Sequence, residues 1–150
     1  MILASACRSR RDTTVPTAAA DGTFSLLPGD VAFSDRIAGN VAVIDFWATW
    51  CEPCRTSIPK VVGFAQEHAQ DLVVVGVHVG HGFADALDFA SEAGIGYPLY
   101  ADPDLRLSGK LGASKVPTVV VLDRRGVAVH RATEIDDAVE RAVRDALAAT

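Results

Sequence analysis

The chain has 150 residues, 49% apolar and 22% charged, which describes one ordinary folded core rather than a disordered or membrane-embedded chain. A net charge of -5 leaves no basic footprint for nucleic acid. No apolar run approaches the roughly 20 residues that a spanning helix needs, so nucleic-acid-binding and membrane-spanning functions are set aside.

Taken from the N-terminus, the first feature is a cysteine. Leu3-Ala4-Ser5-Ala6-Cys7 places small residues just before it, as at the end of a lipoprotein signal whose cysteine is cleaved and lipidated. Leu3 stands four positions before Cys7, where that pattern wants three, and Met1 to Ala6 is too short for a charged and an apolar region. Two readings follow: a lipid anchor through Cys7 on a chain whose true start lies upstream, or an unstructured tail with a free thiol. In both, residues 1–21 are tail and linker, and residues 22–150 form the domain.

From Gly22 onward, Phe24, Leu26 and Leu27 precede a Pro28-Gly29 turn, and Val31 and Phe33 lead to a Gly39-Asn40 turn. Val41 to Trp47 is the apolar run of a strand covered on both faces. The helix after Cys51 turns Ile58, Val61, Val62 and Ala65 toward the core, and Pro59 is expected to kink it. Leu72 to Val79 reads as a second buried strand, followed by a helix with Leu87, Phe89 and Ala90 that ends near Gly94. Asp102 to Gly112 is a short helical candidate. Val119–Leu122 and Val127–His130 form a hairpin around Arg124-Arg125-Gly126. Ile135, Ala138, Val139, Ala142, Val143, Ala146 and Leu147 recur at helical spacing behind a Thr133 cap. This order implies a mixed sheet sandwiched between helices.

The chemistry enters where the first central strand runs into Trp50-Cys51-Glu52-Pro53-Cys54. Two cysteines three apart at a helix N-terminus lie on one face and can close a small disulfide, and the helix dipole stabilises the thiolate of the first. Cys51 is therefore the expected nucleophile and Cys54 the resolver, in thiol-disulfide exchange. Pro53 stiffens the loop between them. Glu52 opposes the thiolate, while Arg55 favours it.

Trp50-Cys51-x-Pro53-Cys54, Pro59, Val116-Pro117-Thr118 and the ending Val121-Leu122-Asp123-Arg124-Arg125-Gly126 together resemble the thioredoxin superfamily, and within it the TlpA, ResA and DsbE-like oxidoreductases of bacterial envelopes. The resemblance covers residues 22 to 149. It implies an α/β three-layer sandwich with an N-terminal β-hairpin and a central insertion ahead of Pro117. It implies a cis bond before Pro117 that faces the dithiol and leaves the Val116 backbone free to pair with an extended substrate. Trp50 and Glu52 would line the substrate surface beside Pro53, while Trp47 packs.

Asp45 resembles the carboxylate through which thioredoxins relay the resolving cysteine's proton; the alternative is a solvated or hydrogen-bonded strand-end aspartate. The chain departs from its group here. Most TlpA-like proteins have asparagine at the Asp45 position and an acid where this chain has Ser57, and the lysine that accompanies the thioredoxin acid has no counterpart between Leu72 and Val79.

The implied function is an envelope or periplasmic reductant of protein disulfides, with apocytochrome c among its substrates, a membrane thiol electron donor and no cofactor. A general cytoplasmic thioredoxin is the enzymatic alternative. His78 and His81, following the cysteines, raise another: a thiol-dependent copper chaperone. Their spacing argues against a metal site.

Overall fold

A computed structural model describes residues 21–149. Along the chain lie β1 (Phe24–Ser25), α1 (Phe33–Ile37), β2 (Ala42–Trp47), α2 (Glu52–Glu67), β3 (Val73–Val79), a 3-10 turn (Phe83–Asp85) running into α3 (Ala86–Glu92), β4 (Leu99–Asp102), α4 (Arg106–Lys110), β5 (Thr118–Leu122), β6 (Ala128–Ala132) and α5 (Asp137–Ala148). The strands form one mixed sheet in the order β1-β4-β3-β2-β5-β6. β2, β3 and β4 run parallel, and β1, β5 and β6 are antiparallel to their neighbours. All six residues of β2 are buried, as its unbroken apolar run requires of a strand covered on both faces.

Strand alternation assigns the two faces. Asp45 pairs with Gly76 on one side and Val119 on the other, and Trp47 pairs with His78, so these side chains share a face. α3 covers it through Phe89, stacked on Trp47 with ring centroids 5.2 Å apart. α2 lies alongside, its Arg55 guanidinium 4.9 Å above the Phe89 ring. α5 flanks α2, where His68 Nε2 stands 3.4 Å from a Glu140 carboxylate oxygen. On the opposite face Tyr100 meets Phe33 of α1 edge-on at 5.6 Å. There too Asp102 accepts the Leu107 and Ser108 N–H groups of α4 at 3.2 and 2.8 Å. The three layers expected from the sequence are present.

Three local details differ from the sequence reading. The N-terminal segment reverses at Pro28-Gly29, with the Asp30 N–H donating to the Leu27 carbonyl at 3.2 Å. Its first arm is the strand β1, paired with β4, but its second arm carries helix α1 rather than a strand. Phe33 and Ile37 stand one turn apart there, and Arg36 is held by Asp30 and by the Tyr100 hydroxyl at 3.1 Å. Second, β4 joins the sheet at Leu99–Asp102, between the two expected helices, where no strand was anticipated. Third, α5 is capped by Asp136, whose Oδ1 accepts the Val139 N–H at 2.9 Å, and not by Thr133. Cys7 and residues up to 20 lie outside the described residues, and with them the expected lipid anchor.

Candidate active site

β2 delivers the chain to the site, and His78 fixes how it leaves the sheet. The Thr49 N–H donates to His78 Nε2 at 3.2 Å, and the Cys51 N–H donates to the Ala48 carbonyl at 3.2 Å. His78 lies inside β3 with no exposed surface. Burial lowers its pKa, with the Gly80 backbone pulling the other way, so the imidazole stays neutral and keeps Nε2 an acceptor. The expected packing role of Trp47 is met: it is wholly buried, edge-on to His78 at 5.2 Å.

Cys51 is the N-cap of α2, and its sulfur accepts the Cys54 N–H at 3.2 Å. The pair is joined as a disulfide with Cα atoms 5.4 Å apart. Cys54 has no exposed surface, while Cys51 keeps 4%. An incoming sulfur can therefore reach only the first. Glu52 and Arg55, expected to act on the thiolate in opposite directions, face each other at 3.4 Å on the exposed side of α2, where their charges largely offset. Ser57, buried in the next turn, donates from Oγ to the Cys54 carbonyl at 3.2 Å.

The bond between Val116 and Pro117 is cis. An apolar groove of about 310 Å³ runs from Trp50 past Val79, Leu105 and Ala113 to Val116. Trp50 is 66% exposed and Leu105 52%, large apolar surfaces that a folded chain ordinarily covers. On the other side of Val116 and Pro117, a more open depression is lined by Pro53, Ser57, Lys115 and Glu134. Of the sequence-predicted residues, Trp50 and Val116 thus line one depression and Pro53, Val116 and Pro117 the other, while Glu52 is exposed.

The Redoxin family profile matches residues 12–148. The chain belongs to the Redoxin family. This redoxin is 34% identical over 108 residues to the thiol:disulfide interchange protein DsbE homolog of Paracoccus denitrificans, covering 70% of this chain and 58% of that protein. It is 26% identical over 98 residues to the thiol-disulfide oxidoreductase ResA of Bacillus subtilis, covering 65% and 55%. The matches thus span between half and two thirds of those relatives' lengths. Among solved structures, it resembles a thiol:disulfide interchange protein of Chlorobium tepidum with a TM-score of 0.65 and 27% identity, over 88% of this chain and 97% of that one. The thioredoxin-like α/β fold expected from the motifs is therefore that of the redoxin.

Asp45 lies in β2 on the face it shares with Trp47 and His78, with no exposed surface. Burial pushes its carboxyl up to about 7, and the Tyr97 hydroxyl, 3.5 Å from Oδ2, works against that rise. This burial leaves no solvated aspartate; of the alternative reading, the hydrogen-bonded form stands, with Tyr97 as the partner. Oδ1 has no hydrogen-bond partner among the described residues. The redoxin's histidines do not join its cysteines: His78 is turned to Thr49, and His81 is exposed, 4.0 Å from Asp104. Among the described residues, Glu67, His68 and Glu140 come close enough to share an ion, at the far end of α2.

Sequence reasoning missed Tyr97 and the role of His78. A tyrosine before a proline between two elements carries no pattern. His78 is polar inside an otherwise apolar strand, and that was the signal available for it.

Proposed function

We propose that the protein is a thiol-disulfide oxidoreductase that reduces protein disulfides in the cell envelope. The observation that carries this reading is the Cys51–Cys54 disulfide at the start of α2, with only Cys51 reachable. In the reduced form the Cys51 thiolate attacks a substrate disulfide, forming a mixed disulfide and releasing one substrate sulfur as thiolate. Asp45 takes the Cys54 proton, and the Cys54 sulfur attacks Cys51 Sγ. The second substrate thiolate leaves, two electrons have passed to substrate, and the protein is oxidised. A membrane thiol donor returns it to the dithiol by the same exchange.

The groove from Trp50 to Val116 suits an extended segment with an apolar side chain near its cysteine, whose backbone pairs with that of Val116. Likeness to DsbE-type and ResA relatives supports apocytochrome c, oxidised at its haem-attachment cysteines, as the substrate.

Cys51→Ser should abolish reduction of an oxidised Cys-x-x-Cys-His peptide, and Cys54→Ser should accumulate the mixed disulfide. The couple's potential against glutathione should lie nearer to about -270 mV than to about -120 mV. Full activity in Cys51→Ser would sink the mechanism, and a potential at the oxidising end would reverse the direction.

A further inference from the structure

Asp45 is a buried acid whose immediate surroundings are unusual. Its neighbour across the parallel pairing to β3 is Gly76, on the same sheet face. A Cβ at position 76 would lie 2.7 Å from Leu99 Cδ2, 3.1 Å from Tyr97 Cε2 and 3.1 Å from Trp47 Nε1. The place where a side chain would stand beside Asp45 is thus filled by Leu99, Trp47 and the edge of the Tyr97 ring. Tyr97 reaches it from the stretch between α3 and β4, is 8% exposed, and brings its hydroxyl to 3.5 Å from Asp45 Oδ2.

We infer that the Tyr97 hydroxyl is the hydrogen-bond donor that receives the Asp45 carboxylate when it forms, through an opening that Gly76 keeps clear. Tyr97 is a positioning residue acting through Asp45, and its mechanistic weight rests on the reading of Asp45 as the Cys54 proton acceptor. At 3.5 Å the contact is long for O–H···O, so it contributes little to a protonated acid. Charge-assisted hydrogen bonds are shorter and about twice as strong as neutral ones, so the contact tightens when Asp45 ionises. Tyr97 therefore favours the state that has released its proton.

Among the described residues, the Trp47 Nε1 donor shares this face but makes no hydrogen bond, so Tyr97 is the donor that already reaches Asp45. On β3, His78 Nε2 is committed to the Thr49 amide, and its Nδ1 makes no hydrogen bond. Val119 on β5 is apolar. On α2, the buried Ser57 hydroxyl is turned to the Cys54 carbonyl, while Arg55 and Lys60 are about half exposed, paired with Glu52 and Glu134. α3 presents Phe89. Burial and Asp45 together hold the Tyr97 hydroxyl well above its ordinary pKa, so it remains a donor throughout the working range.

The test is Tyr97→Phe, which keeps the ring and removes the donor. The Asp45 carboxyl is followed by carbon-13 NMR in the oxidised protein, and the rate of peptide-disulfide reduction is measured against pH in the reduced one. A hydrogen bond to a charged group is worth about 1.5–3 kcal/mol, so the Asp45 midpoint should rise by about one pH unit or more. The rate profile should move by the same interval, and Asp45→Asn should remove that inflection in both backgrounds. In the unaltered protein, the Tyr97 ring carbon bearing the hydroxyl should shift with the Asp45 midpoint, a readout independent of how the variant folds. An unmoved Asp45 midpoint in Tyr97→Phe, or a Tyr97 carbon indifferent to it, overturns the inference. A moved midpoint with an unmoved rate profile upholds the pairing and removes Asp45 from the proton transfer.

Discussion

His78 shows how one buried polar side chain can shape a site without touching the chemistry. Its Nε2 accepts the Thr49 N–H just where the chain leaves β2 for Trp50 and Cys51. Without it, that half-buried amide would lose its partner, at a cost of about 1 kcal/mol. His78→Leu, which keeps an apolar filling, should therefore lower Tm by about 2–4 °C for each kcal/mol lost. It should also speed amide hydrogen exchange at Thr49 and Cys51 above that of the β5 amides. Unchanged protection at Thr49 would show that the loop is held by something else.

At the scale of elements, the crowding around Gly76 is the clearest constraint. β2, β4 and the Tyr97 segment close on it from three directions, with contacts of 2.7 to 3.1 Å awaiting any added methyl. Overpacking of a filled core typically costs about 1–3 kcal/mol. Gly76→Ala should lower the urea midpoint accordingly and displace the Tyr97 ring, seen as a changed aromatic NMR spectrum; a midpoint equal to that of the parent would mean that the ring yields freely.

The elements also show what could be read from the sequence. β2, β3, β5 and α5 were legible because burial on one or both faces writes a long apolar pattern, and the disulfide was legible because its spacing and helix start are local. The conversion of the second N-terminal arm into α1 was not, since Phe33 and Ile37 fit either a strand or a single helical turn until Tyr100 and Arg36 meet them. β4 is only four residues long, and its pairing is set by partners distant in sequence. The α5 cap was misplaced because Thr133 stands before the apolar repeat and Asp136 just inside it, and only the backbone decides which side chain reaches a free N–H. Asp45 was found through family likeness; its partner Tyr97 belongs to the inserted segment, where no local rule links a tyrosine to an acid in another strand.

For the molecule as a whole, Asp45 and His78 tie stability to pH with opposite signs. The folded Asp45 titrates at about 7, against 3.8 for the unmodified group. Between those values the native state retains a proton that the unfolded chain has lost, so stability falls as pH rises through this window, by about 4 kcal/mol in all. His78 is lowered from 6.5, so the unfolded chain takes up protons that the native state refuses, and stability falls as pH drops below that value. Asp45→Asn should make the protein more stable than its parent at pH 8, with the gain shrinking toward pH 4, as read by urea unfolding across that range. A gain independent of pH would show that Asp45 is not held protonated by burial. Since domains of this kind are stable by about 5–15 kcal/mol, a buried acid of this sort is a substantial stability cost carried at the active site.

The Cys51 sulfur caps helix α2 as well as carrying the disulfide. Serine at that position supplies an oxygen that also caps, among the best of all residues for the purpose, whereas alanine supplies nothing. The two replacements thus separate the scaffold from the reactivity at a single atom. Activity lost in Cys51→Ser with the helix intact belongs to sulfur itself, and whatever further stability Cys51→Ala loses measures how far the protein uses its nucleophile as a structural part.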